Sequence, residues 1–291
     1  MKQFAEWVVG REYRAGLVAA ALALIPLLGI IGSGVLVLAT LKRGPAAGWG
    51  AAAVATAVLL VASWIGGATP LSAMIAALVL WAPAVGLATL LRGTGSLSMC
   101  AQMATVGGLL AAGFLIASLD QSGGGWSGRL LQELQPLMAE TGAGDEMLQV
   151  MLGILPGALA ASLMLAALLG LFVGMSLHAS LAGSGAFAIA FRSLRLGRVL
   201  AGLAVVLLVL VIASGQLAFA SLLTVAVAAL ALQGLGAVHD MAARRQWPAG
   251  VIAVVYLVLI FMMGFAAPLL AAVGLADNWI DFRGRGETSA R

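Results

Sequence analysis

The stretch MLGILPGALAASLMLAALLGLFVG, residues 151–174, carries no charged side chain, and the longer run 147–191 around it carries none either. An apolar run of about 18 residues or more is long enough to cross the hydrocarbon core of a bilayer. The run is continuously apolar. A transmembrane barrel strand would instead alternate polar and apolar residues over about ten positions, so this stretch reads as helix. Within it Gly153 and Gly157, then Gly170 and Gly174, each stand one helical turn apart. Helices in lipid gain little from burying Leu against Leu, and associate where small residues let two backbones come close.

The same pattern extends in both directions. Residues 15–41, 44–91, 199–239 and 246–276 also lack Asp, Glu, Lys and Arg. The 291-residue chain is 63% hydrophobic and 9% charged, with a mean hydropathy of +1.11. Soluble domains run near 45–50% apolar and about 25% charged. The composition excludes a soluble enzyme and a nucleic-acid binder. Eight apolar segments can be placed, at about 15–41, 46–64, 70–91, 96–118, 148–177, 197–214, 217–239 and 248–276. The expected fold is an all-α polytopic helical membrane bundle of about eight apolar segments, forming one integral membrane domain over 1–291.

Charge sets the expected orientation. The stretch 119–146 carries Asp120, Glu133, Glu140, Asp145 and Glu146 against a single Arg129. Leu130, Leu131, Leu134, Leu137 and Met138 recur in it at helical spacing, which predicts an amphipathic surface helix with Trp126 at the interface. Basic loops stay on the cytoplasmic side, so this acidic loop is periplasmic or extracellular. Counting spans outward from it, Lys42–Arg43, Arg92, Arg192–Arg198 and Arg244–Arg245 all fall inside. The location expected is the bacterial cytoplasmic (inner) membrane.

The two end segments are long and interrupted. Pro26, Gly29 and Gly32-Ser33-Gly34 break the first, and Gly264 and Pro268 break the last. Each reads as a helical hairpin or broken pair, which leaves both termini cytoplasmic; a single tilted span is the alternative. The halves are short for full spans, so protein neighbours must shelter them, because irregular backbone cannot face lipid.

Intramembrane polar residues are the usual pointers to function. His178 lies near the inner end of the fifth segment, and His239 near that of the seventh. Gln102 and Gln233 are the uncharged side chains costliest to bury alone. These four are the candidate ligand-binding residues, with backbone hydrogen bonding for the histidines and helix–helix bonding for the glutamines as the plainer alternatives. Arg192, Arg195 and Arg198 fall at i, i+3 and i+6, one basic face on a helix, beside Phe187 and Phe191. Such a face suits anionic headgroups or a partner protein. No catalytic motif is present: no H-E-x-x-H, no G-x-S-x-G and no P-loop. One cysteine and two histidines without ligand spacing make no metal motif, so no enzyme activity, cofactor or metal is expected.

The run Val273-Gly-Leu-Ala-Asp-Asn-Trp-Ile-Asp-Phe-Arg283 resembles the C-terminal signature of the YybS-like family of bacterial multi-span membrane proteins. Gly274, Asp277, Trp279, Asp281, Phe282 and Arg283 carry that likeness. The block Gly185-Ala-Phe187 to Phe191-Arg-Ser-Leu-Arg-Leu196 is similar to a second family block, with Ala186 in place of a glycine. The family is in turn similar in layout to the substrate-binding S-components of energy-coupling-factor transporters. That likeness implies a substrate-binding or transport subunit that docks on an energising module through a first-helix A-x-x-x-A pattern. Ala15, Ala19 and Ala23 match it. The partners then expected are membrane lipids, such a module or another membrane protein, and a small neutral ligand. A non-catalytic scaffold that binds a larger complex is the other reading.

Overall fold

The computed structural model describes residues 2–25, 28–67, 69–120 and 145–280. The fold is an all-α bundle of helices α1 Lys2–Val9, α2 Glu12–Ala23, α3 Gly29–Arg43, α4 Pro45–Ile65, α5 Pro70–Thr94, α6 Leu97–Asp120, α7 Asp145–Ala182, α8 Ala186–Arg192, α9 Gly197–Ser214, α10 Leu217–Arg244, α11 Ala249–Phe261 and α12 Met263–Ile280. Among the described residues seven helices are long and apolar enough to cross a membrane: α4, α5, α6, α7, α9, α10 and α12. Six of them fall on the apolar segments placed from the sequence, and α12 covers the second half of the last, as a multi-pass membrane protein requires. The acidic stretch 121–144, with Trp126, lies outside the described residues.

Turn chemistry ends the helices where the sequence changes character. Thr69 caps α5, its hydroxyl accepting from the Ser72 amide, and Pro70 follows at the first position, where no N–H is needed. Gly95 and Gly215 end α5 and α9 in the left-handed conformation, at φ +65° in each case, which an L side chain adopts only at a cost.

The chain divides into two compact units. The first comprises residues 1–104 and 163–194, the second residues 105–162 and 195–291. In the first, α2 packs on α3 and α4 through missing side chains. A Cβ on Gly32 would lie 2.8 Å from the Ala19 carbonyl oxygen, and one on Gly16 would lie 2.6 Å from that of Ala51. The first apolar segment therefore folds back on itself. Its core joins Ala15, Ala19, Leu36, Ala51, Trp81 and Val85. The Gly170–Gly174 pair works as its spacing suggested. Gly170 faces Ser33, and a Cβ on Gly174 would stand 2.8 Å from the Gly34 carbonyl oxygen, so α7 lies close against α3. Phe187 and Phe191 of α8 pack on Phe172 of α7, with ring centroids 5.8 and 5.4 Å from it.

In the second unit, Gly153 and Gly157 of α7 seat Leu217 and Ser221 of α10. Ser221 Oγ accepts from the Gly157 amide at 2.6 Å, one residue beyond Pro156, which has no N–H to offer. The last apolar segment is interrupted at Met262, between α11 and α12. Tyr256 of α11 touches His239, whereas Gly274 of α12 touches Gly234. A straight helix would separate residues 256 and 274 by about 27 Å, and residues 234 and 239 of α10 by only about 7.5 Å. The segment therefore bends back toward its start. Both end segments are broken, and the break in the last falls before Gly264 and Pro268, which lie inside α12.

Candidate functional site

Among the described residues of the second unit, the carboxylate of Asp277 is buried, at 1% exposed. It stands near the end of α12, and its surroundings follow from two sequence features. Gly234 and Gly274 bring α10 and α12 into backbone contact. The chain between α8 and α9 leaves helical conformation over residues 194–196, so its amides need partners from elsewhere. Gln233, fully buried on α10, serves both needs. Its Oε1 accepts from the Leu196 amide at 2.9 Å, and its Nε2 donates to Asp277 Oδ2 at 3.0 Å. Asn278 donates to Gln233 Oε1 at 3.3 Å and to the Gly274 carbonyl at 2.9 Å. Arg195 Nε lies 3.9 Å from Asp277 Oδ2, with its side chain 41% exposed against 0% for the carboxylate. Arg198 Nε donates to the Asn278 carbonyl at 3.4 Å.

The arrangement is one polar knot linking the start of α9, the middle of α10 and the end of α12. The guanidinium reaches from a wetter position toward a carboxylate that has none of its surface open. Burying a charge needs both a counter-charge and hydrogen bonds, and the knot supplies both. Chemically it can hold a negative charge inside the unit and bind three helices through it.

The sequence candidates fall in different places. Gln233, Arg195, Arg198, Gly274 and Asp277 converge in the knot, and Trp279 follows on α12, half exposed. Asp281, Phe282 and Arg283 lie outside the described residues. His239 donates from Nδ1 to the Leu235 carbonyl at 2.9 Å and meets the Tyr256 hydroxyl at 3.4 Å, the backbone pairing that was its plainer reading. His178 and Gln102 belong to the first unit, both partly buried. Ala15 and Ala19 are fully buried there in the packing of α2, and Ala23 is partly buried.

One expectation needs correction. Arg192, Arg195 and Arg198 do not share a helical face. Arg192 ends α8, Arg195 lies in the non-helical link, and Arg198 opens α9. The physical reason is Gly197, at φ +82°, which interrupts any helix through 192–198. Asn278 was not anticipated. Its signal was its place beside Asp277, four residues after Gly274, where its amide reaches that glycine's carbonyl.

The first unit offers an open cavity of about 210 Å³ lined by Glu6, Gly10, Lys42, Arg43 and Leu181. Pockets for drug-sized ligands run to about 300–1,000 Å³, so this one suits a smaller group. Among the described residues no three His, Cys, Asp or Glu side chains come together to hold a metal ion. No family model, no curated protein and no solved structure matches this chain.

Proposed function

We propose that this chain is a non-catalytic substrate-binding or transport subunit of the inner membrane, of the S-component type. The observation that carries the reading is the pair of broken, folded-back apolar segments, α2–α3 in one unit and α11–α12 in the other. Interrupted helices at membrane depth line substrate and ion sites in many transporters. The buried carboxylate of Asp277 adds weight, because an ionisable group inside a membrane bundle marks function by default. Cytoplasmic termini and an energising partner belong to the same proposal. Native mass spectrometry of the purified chain is its test. A retained small neutral molecule, or an ATPase that co-purifies, is the expected result. A chain that carries neither, purified in mild detergent from several growth conditions, overturns it.

A second reading, a membrane scaffold for a larger complex, has its own observation. Gln233 uses both amide atoms on the protein itself, as a structural clamp would. Crosslinking in membranes followed by pulldown separates the two. Recovery of a defined set of protein partners, with no small molecule retained, favours the scaffold.

A further inference from the structure

We propose that the cavity of the first unit binds the phosphate of an anionic phospholipid headgroup. This site stands apart from the transport reading and from the Asp277 knot.

The cavity lies at the level where apolar helices stop. Lys42 and Arg43 close α3 directly after its apolar run. Leu181, also in the lining, stands one residue before the end of α7 at Ala182. Arg92 stands in the last turn of α5, and its Nη1 donates to the Leu41 carbonyl, so the end of α5 meets the end of α3. Three apolar helices therefore end around one point, and the headgroup layer of a bilayer begins where such helices end. Trp7 of α1 and Tyr13 of α2 are half exposed, and the Arg14 guanidinium stands 5.1 Å over the Trp7 ring. Half-exposed aromatics with basic neighbours belong to that same layer.

The charge around the cavity is net positive. Lys42 and Arg43 line it. Arg14 joins them, because a Cβ on Gly10, a lining residue, would stand 3.6 Å from its Nη1. The bond to the Leu41 carbonyl holds Arg92 beside Lys42, and His178 of α7 lies within electrostatic reach of both. Lys42, Arg43, Arg14 and Arg92 thus face two carboxylates, Glu6 in the lining and Glu12 at 3.6 Å from Arg43. That balance favours a net anionic ligand over a zwitterion. Ammonium and guanidinium groups are both good phosphate partners, and basic pockets between membrane helices hold phospholipid headgroups. Leu181, packed with Ala5 and Leu38, forms an apolar wall along which the first acyl carbons would lie. A soluble anion or an acidic protein would leave that wall unused.

The test is a lipid titration of the purified, delipidated full chain, followed by native mass spectrometry. Phosphatidylglycerol, phosphatidylcholine and phosphatidylethanolamine with identical acyl chains are the probes. Phosphatidylglycerol should be retained above both others, and less strongly as salt rises. Lys42→Gln should weaken it about fivefold, the scale of one basic residue beside an anionic headgroup. Glu6→Gln removes a like charge and should tighten it about twofold or more. Arg245→Gln, in the second unit, should leave it unchanged. Glycerol phosphate, which has the charge but no acyl chains, should not displace the lipid at equal concentration. Photocrosslinking from position 42 in membranes should capture lipid. Equal retention of the three lipids, tighter retention of either zwitterionic lipid, or an unchanged or lowered phosphatidylglycerol affinity in Glu6→Gln overturns the proposal. So do equal losses in Lys42→Gln and Arg245→Gln, displacement by glycerol phosphate, or capture of a protein in place of lipid. Glu6 and Lys42 are both exposed, and the wild-type order of the three lipids decides the matter even if a variant fails to fold.

Discussion

Gly274 of α12 lies directly against Gly234 of α10: a Cβ on Gly274 would stand 2.9 Å from the Gly234 amide nitrogen. The reverse holds as well, with a Cβ on Gly234 meeting the Leu270 carbonyl and standing 3.1 Å from the Gly274 nitrogen. Each glycine is the space the other helix occupies. The close approach brings Gln233 within reach of Asp277, so packing and polar chemistry in this unit share one cause.

Alanine at either position pushes a methyl into backbone, which cannot move aside as a side-chain tip can. Gly234→Ala and Gly274→Ala should each destabilise the protein by about 2–3 kcal/mol. Gly202 of α9 has nothing within 4 Å of its missing Cβ. Gly202→Ala should therefore be neutral or stabilising by up to about 1 kcal/mol, the helix propensity difference. Thermal unfolding in detergent of the three variants checks the contrast. Equal losses at all three would mean that the α10–α12 contact is not what matters.

Gln233→Leu removes the acceptor of the Leu196 amide and the donor to a buried carboxylate. A loss of about 3–5 kcal/mol is expected, the scale seen when one partner of a buried charge is removed. Asp277→Asn keeps an acceptor facing Gln233 and should cost about 1 kcal/mol. The double variant Gln233→Leu/Asp277→Leu should lose less than the two single leucine variants together, by about 0.5–3 kcal/mol. Strict additivity in that cycle would show that the two side chains do not act together.

Ser221→Ala leaves the Gly157 amide without its 2.6 Å acceptor. The expected loss is about 1 kcal/mol or somewhat more. Hydrogen exchange should show faster exchange around residue 157 than in the second half of α7. Unchanged protection there would mean that α7 does not need this support beside Pro156.

Trp81 is 1% exposed, and its indole N–H finds no acceptor among the described residues. Phenylalanine removes the unsatisfied donor and keeps most of the ring. Trp81→Phe should be neutral or raise the melting temperature, whereas Trp81→Ala should cost about 3–5 kcal/mol through the cavity it leaves. A large loss in Trp81→Phe would reveal a partner for the N–H.

The helices were legible because their signal is local. Charge-free runs 44–91, 147–191 and 199–239 mark α4, α5, α7, α9 and most of α10, and glycine or proline stands at most of the turns between them. The breaks in the two end segments were legible for the same reason, although the second falls at Met262, an apolar residue that carries no signal of its own. The pairs Gly153–Gly157 and Gly170–Gly174 could be read as contact points, but not their partners. In a chain with 38 glycines, spacing alone cannot say which glycine meets which helix.

The knot was legible in pieces. Gln233 stood out by the cost of burying it alone, Arg195 and Arg198 by their spacing, and Asp277 by its place in the run 273–283. Their convergence depends on contacts between residues about 40 and 80 positions apart, as in Gln233 to Asp277 and Arg198 to Asn278. One reading from spacing failed: Arg192, Arg195 and Arg198 keep helical intervals, but Gly197 at positive φ breaks the helix that would have aligned them.

By itself, then, the sequence determined that the chain is a multi-pass helical membrane protein, and about where its helices begin and end. Hydrophobic length and turn chemistry act over a few residues, so a linear reading captures them. Only the tertiary structure decided that Gly234 would meet Gly274, that Gln233 would satisfy the Leu196 amide, and that Asp277 would lie buried beside Arg195. Those outcomes depend on how closely two helices approach and how far a side chain reaches across the gap, and no local pattern encodes either distance.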